Sequence, residues 1–161
     1  MSELTSNINY LQPTNFRIVL DRKQYGNLEF FAQRFDHPSI TIDAPVVSYK
    51  RIQSISLTGD NISFGDLTIE VICDEDMNSY KEMFDWLTEL TEKHHNDAEK
   101  RIQVDISAII MSSHNNKVKE FRYVDCIPTF VGPLSFQAGV SEAPIVTFEV
   151  TFKIGYFELK D

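Results

Sequence analysis

The sequence lacks the features that mark several large classes of protein. It has 2 cysteines, 6 glycines and 6 prolines among 161 residues, and no Pro-, Gly- or Ser-rich tract divides it. Cys73 and Cys126 lie far apart in apolar surroundings, without a C-x-x-C partner, so we expect buried reduced thiols rather than a disulfide framework. The length and composition predict a single domain, residues 1–161, folded around one core.

Targeting and membrane signals are also missing. The segment from Met1 to Asn7 has neither a basic region nor an apolar run. No stretch approaches the roughly eighteen apolar residues that a membrane-spanning helix needs. We therefore expect a protein that stays in a cytosol and does not enter a membrane.

Basic charge is scarce. The chain has 15 Lys and Arg against 24 Asp and Glu, which gives a formal net charge of −9. A surface that grips nucleic acid needs clustered Lys and Arg to neutralise phosphates, so this class of function is disfavoured. Residues 60–80 contain acidic side chains and no Lys or Arg, which by itself is typical of a solvated sheet face and turn.

Motifs for catalysis and metal binding are absent as well. The sequence has no G-x-S-x-G, P-loop or G-x-G-x-x-G pattern. His94 and His95 are adjacent on a fading helix and point in different directions, which does not suit a shared metal. The run Asp74-Glu75-Asp76 lacks the glycine and the closing glutamate of a calcium loop, so we interpret it as negative charge before a helix. We predict no catalytic, metal or cofactor site.

Hydrophobic periodicity predicts a mainly β fold. Alternating apolar residues and strand-forming types predict strands at 16–20, 28–35, 67–73, 102–110, 118–123 and 146–157. The last of these is longer than the usual five or six residues. Residues 39–63 have weaker signals, interrupted by Pro45, and predict an extended arm or long hairpin. Residues 1–15 form an N-terminal extension.

One amphipathic helix is predicted over residues 79–91. Ser79 and Glu82 have the spacing of a capping box. Apolar residues at helical spacing predict one stripe that packs on the sheet: Tyr80, Met83, Phe84, Leu87 and Leu90. The predicted fold class is α+β, with two packed antiparallel sheets, a β-sandwich or barrel, flanked by this helix.

Two of the predicted strands carry a polar face opposite their apolar one. The residues on these polar faces are Asp66, Thr68, Glu70, Thr147, Glu149 and Thr151. Unpaired strand edges are normally blunted, so a long strand in a small domain is either covered or extended by another chain. Either outcome is consistent with this pattern.

Three blocks of sequence resemble the tail-tube family of contractile-tailed bacteriophages, whose tube-type fold is shared with the type VI secretion tube. The first block has the family's order of Gly-Asp, strand, acidic turn and Trp-bearing helix, in Gly59-Asp60, Phe64, residues 66–71, Asp74-Glu75 and Phe84-Asp85-Trp86. Residues 130–134 are similar to a Val-Gly-x-Leu turn of the family. Residues 147–152, with Tyr156, are similar to its closing strand.

This resemblance implies a structural subunit and not an enzyme. Copies would form stacked hexameric rings whose strands join an inner barrel, and the lumen would conduct DNA during ejection. The implied location is the virion tail, assembled in the host bacterial cytoplasm, and no cofactor is implied. The implied partners are other copies of the chain, a sheath protein, baseplate and terminator proteins, and a tape-measure protein and transiting DNA that are not bound specifically.

The resemblance also assigns two sets of residues. The candidate lumen-facing residues are Asp66, Thr68, Glu70, Thr147, Glu149 and Thr151. The candidate contacts between stacked rings are Tyr49, Lys50, Arg51 and Ile52. The helix would face outward, so that Asp85, Glu89 and Glu92 meet a sheath protein.

Alternatives stay open at this point. The start of the chain and the arm depart from the family's pattern, which leaves a tube-like adaptor or initiator at the baseplate or neck. A monomeric ligand-binding β-barrel, with the helix as a lid over Phe-rich strands, is a different class. A hydrolase that uses Asp66, Glu70 and Glu149 is a third.

Overall fold

The computed structural model describes residues 11, 13–20, 26–27, 29, 31–49, 53–93, 103–139 and 145–161. Helix α1 spans Asn78–Lys93. The strands in this part of the chain are β1 Phe16–Val19, β2 Ala32–Asp36, β3 Ile40–Ile42, β4 Val46–Tyr49, β5 Gln53–Ser56, β6 Ile62–Phe64, β7 Leu67–Ile72, β8 Val104–Met111, β9 Lys117–Val131, β10 Thr147–Lys153 and β11 Tyr156–Lys160.

Seven of these strands form one antiparallel sheet in the order β1-β8-β9-β10-β7-β2, with β11 also paired to β9. Strand β9 is 15 residues long and pairs with three other strands of the sheet. Its first part pairs with β8 and β11, and its last part pairs with β10. The two predicted sheets are therefore two halves of one sheet, here called the β8 half (β1, β8, β9, β11) and the β7 half (β2, β7, β10, β9).

The sheet curls until its two end strands approach each other. Phe16 in β1 and Phe35 in β2 stand at opposite ends of the strand order, yet their ring centroids are 5.0 Å apart. The sheet is thus rolled into an incomplete barrel that encloses the core. The predicted class, mainly β and antiparallel with one helix, is confirmed.

The core follows the alternation of the sequence. In the β7 half, Leu67, Ile69 and Val71 lie opposite apolar partners of β10 on the same face, and all are buried. The β8 half, with Leu20 directly after β1, contributes Ile18, Leu20, Ile106, Ala108, Tyr123 and Cys126, and helix α1 contributes Met83 and Trp86. Both cysteines are free thiols as predicted, but only Cys126 is buried, and Cys73 is half-buried.

Helix α1 packs on this core, but through a face rotated from the predicted stripe. Tyr80 contacts Phe148 and Trp86 contacts Phe152, with ring centroids 5.3 Å and 5.7 Å apart. Tyr80, Met83 and Leu90 of the predicted stripe pack on the core, whereas Phe84 is 58% exposed, so the prediction is wrong for Phe84. The helix turns toward Trp86, its largest apolar side chain, because burying that ring removes the most apolar surface from water.

The predicted capping box is also wrong. The carboxylate of Asp74 accepts hydrogen bonds from the backbone N–H of Asn78 (3.0 Å) and of Ser79 (2.8 Å) and from the Ser79 hydroxyl (2.7 Å). Glu82 does not reach back to the cap, because its carboxylate accepts from the Asn27 side-chain amide at 2.6 Å. Burial opposes the charge on Asp74, but the hydrogen bonds from Ser79 and Asn78 outweigh it and lower the pKa of this carboxyl.

The predicted strand at 28–35 is wrong in its first part. The described residues between 26 and 31 are helical, and β2 begins only after them. The Glu29 carboxylate ties this segment to β1, since it lies 3.5 Å from the Arg17 guanidinium and accepts a hydrogen bond from Leu20 N–H at 3.4 Å. Apolar residues on both faces of a short segment suit a helical turn as well as a strand, so periodicity could not decide.

The predicted closing strand at 146–157 is divided into β10 and β11. The break is at Gly155, whose N–H donates to the carbonyl of Val124 at 3.0 Å. A break of this kind exchanges the two faces of the following strand. Tyr156, which an unbroken alternation from Phe152 would place on the apolar face, is therefore 44% exposed, and Phe157 packs on the core instead.

Candidate functional site

The polar residues predicted to face a lumen come together on one face of the β7 half. Glu70 lies directly opposite Glu149, and Thr68 lies directly opposite Thr151. Paired residues of antiparallel strands point to the same side of the sheet, and the apolar core occupies the other side. These four residues therefore form one polar patch on the face away from the core, here called the polar face.

The other two predicted residues lie at the margin of this patch. Thr147 is the first residue of β10 and lies opposite Ile72. Asp66 is exposed and comes just before β7, outside the paired register. The structure thus brings Thr147 to one end of the polar face and does not pair Asp66 with it.

Sequence reasoning missed the part of the polar face that β2 supplies. Arg34 lies opposite Glu70, and Asp36 lies opposite Thr68. The Arg34 guanidinium and the Asp36 carboxylate are 2.9 Å apart, and both side chains are largely exposed. The polar residues on either side of Phe35 could have indicated this part of the face. The strand predicted at 28–35 ended at Phe35, however, and so left out Asp36.

A glycine sets the opposite margin of the polar face. Phe130 in β9 lies opposite Thr151 and is 50% exposed. Two residues after Phe130, the N–H of Gly132 donates to the carbonyl of Glu149 at 2.6 Å. A Cβ at Gly132 would lie 3.1 Å from the Glu149 backbone nitrogen, so the close approach of the two strands favours glycine here.

The charge of the polar face favours an open, hydrated surface. Glu70 and Glu149 are like charges placed directly opposite each other, an arrangement that destabilises a strand pair. Among the described residues, no group of three or more His, Cys, Asp or Glu side chains is placed to hold a metal ion. The face carries charges of both signs, since Arg34 also lies opposite Glu70, and its described residues gather no nucleophile, base and pocket in one place.

The second candidate region is the arm, residues 40–64. Strand β3 pairs with β6 at its root, and β4 pairs with β5 toward its tip. Backbone hydrogen bonds from Leu57 N–H to Pro45 C=O (2.9 Å) and from Gly65 N–H to Ser39 C=O (2.8 Å) join these pieces into one ribbon.

Between these two strand pairs, the backbones of Asp43 and Gly59 approach each other closely. A Cβ at Gly59 would collide with the backbone carbonyl of Asp43, so only glycine allows the two chains to approach this closely. An open cleft of about 380 Å³ lies beside them, lined by residues 43–45 and 59–61. This close approach explains why the Gly59-Asp60 pair of the first sequence block begins with a glycine.

The arm exposes apolar side chains. Their exposed fractions run from 48% to 63%, in Ile40, Ile42, Val46, Val47, Ile55, Leu57 and Ile62. At the tip, Tyr49 lies opposite Gln53 in the ribbon, whereas Lys50, Arg51 and Ile52 fall outside the described residues. A two-stranded ribbon is marginally stable alone, and this one leaves apolar surface without a cover inside the described subunit.

The outer face of helix α1 is the third region. Asp85 and Glu92 are exposed there, next to Phe84, and Glu89 is partly buried. Over the described ranges, no helix combines the length and the apolar character that crossing a bilayer requires.

Comparison with known proteins places the fold. No protein-family model matches the sequence, and no curated protein matches it. Among solved structures, the chain is similar to a chain of the PVC sheath-tube complex of an extracellular contractile injection system in the extended state, with a TM-score of 0.72, 15% identity, and 99% of each chain covered.

Two further solved structures give the same result. A chain of the anti-feeding prophage (AFP) tube terminating cap has a TM-score of 0.69 at 12% identity, covering 98% of this chain and 95% of that one. A chain of the six-fold symmetrised AFP baseplate has a TM-score of 0.64 at 10% identity, covering 99% and 97%. The tube-type fold that the sequence predicts is confirmed.

Proposed function

We propose that this chain is a structural, non-catalytic subunit of the tube of a contractile assembly, built from stacked hexameric rings. The observation that carries the proposal is the likeness to a chain of a sheath-tube complex over 99% of both chains. A likeness to a chain of a six-fold symmetrised baseplate supports the hexameric order.

The strand edges support closure of a ring. The β7 half has four strands, and its two outer edges are β2 and the last part of β9. Strand β8 covers β9 only as far as Cys126, so the edge at residues 127–131 lies beyond that pairing. If β2 of one subunit pairs with this edge of the next, both edges are consumed and the sheets close into a barrel.

In such a barrel the polar face lines the lumen. The apolar face of β7 and β10 already packs on the core, so the face with Glu70 and Glu149 is the one left for the interior. Repeated around a ring, these carboxylates give the wall a negative potential. A polyanion such as DNA passes along a wall of like charge without adsorbing, which fits conduction of DNA during ejection from a phage tail.

The arm is the proposed contact between stacked rings. Its exposed apolar residues extend along the ribbon, and the proposed contact includes Tyr49, Lys50, Arg51 and Ile52. Covering such side chains on a neighbouring ring contributes about 25 cal/mol per Å² of apolar surface removed from water. The N-terminal residues 1–15 are proposed to join this contact.

The other partners follow from the same position in the assembly. The exposed face of α1, with Asp85 and Glu92, is proposed to meet a sheath protein. Baseplate and terminator proteins would meet the two ends of the tube, and a tape-measure protein would occupy the lumen before the DNA. The proposed location is the tail of a phage particle, assembled in the bacterial cytoplasm.

A second candidate is a ring that ends the tube rather than extending it. The likeness to the tube terminating cap, with a TM-score of 0.69, is nearly as strong as the likeness to the sheath-tube complex at 0.72. Such an adaptor would close rings through β2 and β9 and would not stack into long tubes.

The two functions of other classes are less well supported. A ligand-binding barrel needs Phe side chains around a cavity, whereas Phe148 and Phe152 are packed against Tyr80 and Trp86. A hydrolase built on Glu70 and Glu149 would work on an open sheet face, where water is not excluded.

Cross-linking across the proposed subunit joint tests ring closure. Gln33→Cys on β2 and Thr129→Cys on β9 place one thiol near each edge, and both positions are exposed. Cys73→Ser removes the half-buried native thiol, and Cys126 stays unreactive because it is buried and burial raises the pKa of its thiol. We expect a short bis-maleimide to give a ladder of covalent oligomers that stops at the hexamer.

The matched control moves one thiol away from the joint. Ser113→Cys, in the exposed turn between β8 and β9, replaces Thr129→Cys and should leave the protein largely uncross-linked. A ladder of equal strength in the control, or a double variant that stays monomeric at high concentration, contradicts ring closure through β2 and β9.

A further inference from the structure

The arm joins the body through a cluster of aromatic rings. His37 lies between β2 and β3, where the chain enters the arm, and its ring centroid is 4.4 Å from that of Phe121 and 4.6 Å from that of Phe157. Phe64, at the end of β6 where the chain leaves the arm, also packs on Phe157, at 5.3 Å. Both strands of the arm are therefore anchored on the same ring of β11.

A hydrogen bond completes this anchor. Nδ1 of His37 lies 2.8 Å from the hydroxyl oxygen of Tyr123, whose residue is fully buried. A neutral imidazole with its proton on Nε2 accepts the Tyr123 O–H at Nδ1. A protonated ring has no lone pair there, so it must donate instead, and the buried Tyr123 O–H loses this acceptor.

The rings that pack on His37 carry no charge. The rings packed on it in the described part of the chain belong to Phe121, Tyr123 and Phe157. Of these, only the Tyr123 hydroxyl titrates, and burial raises its pKa, so it stays neutral beside the histidine. Burial likewise lowers the pKa of His37, although part of its ring remains in contact with water.

The charged residues nearby are engaged elsewhere. Asp36, next to His37 in the chain, is paired with Arg34. On β9, Arg122 alternates with the aromatic residues, so it points to the other face of the sheet, where its guanidinium lies 2.7 Å from Asp105. On β11, Glu158 alternates with Phe157 in the same way and pairs with a lysine two residues on. Asp66, the exposed carboxylate two residues after Phe64, forms no ion pair with His37 within the described part of the chain.

We propose that His37 is a proton-sensitive hinge: the neutral ring holds the root of the arm on β9 and β11, and the protonated ring releases it. The hinge acts within one subunit and goes beyond the proposed tube, because it needs no second copy. With His37 neutral, the orientation of the arm relative to the body is fixed. At low pH, the arm is held less firmly in this orientation.

The sign of the pH dependence follows from the environment of the ring. Docking lowers the pKa of His37 below its ordinary value of 6.5, so the released arm binds the proton more tightly than the docked arm. Docking is therefore at full strength above that value and weakens as the pH falls below it. Each pKa unit of difference corresponds to about a tenfold change in the docking equilibrium.

Hydrogen exchange on the full chain tests the hinge, at a concentration at which light scattering gives the mass of one subunit. Protection factors are measured for the amides of the arm and, as an internal reference, for those of β7, at about pH 7.5 and about pH 5.5, on either side of the histidine range. We expect the ratio of arm to β7 protection to fall at the lower pH, by at most about tenfold, since pH 5.5 is about one unit below the ordinary pKa of 6.5.

Three variants separate the hinge from other effects of acid. His37→Phe keeps an aromatic ring that cannot be protonated, and His37→Gln keeps a neutral hydrogen-bonding group. In each of these variants, the ratio of arm to β7 protection should therefore change less than about twofold between the two pH values. His114→Gln removes a histidine in the exposed turn between β8 and β9 and should behave as the unaltered chain. The proposal is overturned by a pH-independent ratio in the unaltered chain, an equal fall in His37→Phe, or arm amides that are unprotected at pH 7.5.

Discussion

The arm and the pair β7–β10 are built alike and end in opposite environments. Both are antiparallel, and both carry β-branched and other apolar residues. In β7 and β10 the alternate apolar residues are at most 2% exposed, whereas those of the arm are 48% to 63% exposed. A sheet strand has a core on one side, but a free ribbon has water on both. The apolar residues of the arm are therefore not explained by the stability of one subunit, and they indicate a partner surface outside it.

The largest expected effect removes packing from the body. Phe152→Ala deletes a fully buried ring that contacts Trp86, so the free energy of unfolding should fall by about 3–5 kcal/mol. Denaturant unfolding followed by Trp fluorescence measures this. Phe136→Ala is the matched control, since that ring is 75% exposed, and a comparable loss there would mean that burial does not separate the two regions.

A smaller effect concerns the cap that holds α1 on the core. Asp74→Ala removes the acceptor for Asn78 and Ser79 and should cost about 0.5–2 kcal/mol of stability at neutral pH. Because the pKa of Asp74 is lowered in the folded state, its contribution is present above its ordinary value of 3.8 and is lost as the pH falls below it. The difference between variant and unaltered chain should thus shrink in acid. A difference that stays constant from neutral pH to about pH 2, well below the ordinary value, would rule out the charged cap.

A stabilising change is expected on the polar face. Glu149→Gln removes one of two directly opposed carboxylates and should raise the free energy of unfolding by about 0.2–1 kcal/mol. Chemical denaturation at low salt measures the gain, which should diminish at high salt as screening grows. Loss of stability on this change would mean that Glu149 makes a favourable contact in the subunit. Glu158→Gln, at a carboxylate already paired with Lys160, serves as the control and should give no gain.

The smallest expected effect on the subunit is in the arm. Ile42→Ser with Ile62→Ser changes two residues that face each other across the ribbon, 54% and 57% exposed. The free energy of unfolding should change by less than about 0.5 kcal/mol, as at other surface sites. Stacking of rings, followed by sedimentation, should nevertheless be lost. A large loss of stability in the monomer would show that the arm packs on its own body.

The sequence was most informative where alternation met a simple core. In the strand predicted at 67–73, the residues that alternate with the predicted polar face, Leu67, Ile69 and Val71, are buried, because one face of β7 packs and the other does not. Prediction failed where the outcome depended on contacts from distant parts of the chain. The helix rotated toward Trp86, and Glu82 turned to Asn27 instead of the cap, and neither partner is visible from local spacing.

The candidate site shows the same division. The pairing of Glu70 with Glu149 joins residues far apart in the chain, and the polar pattern of each strand allowed its face to be predicted. The contribution of Arg34 and Asp36 was missed because it depends on where β2 begins and on its bulged register with β7. The anchoring of the arm by His37 and Phe64 on Phe157 depends on three segments meeting, which no periodicity indicates.

Electron microscopy of the concentrated, purified chain tests the central claim most directly. The account predicts six-fold rings that stack into hollow tubes, and predicts that the Ile42→Ser, Ile62→Ser variant forms rings that do not stack. If the unaltered chain forms rings that never stack, the second candidate function, a ring that ends the tube, would be favoured. Monodisperse monomers at high concentration, with no rings, would contradict the account.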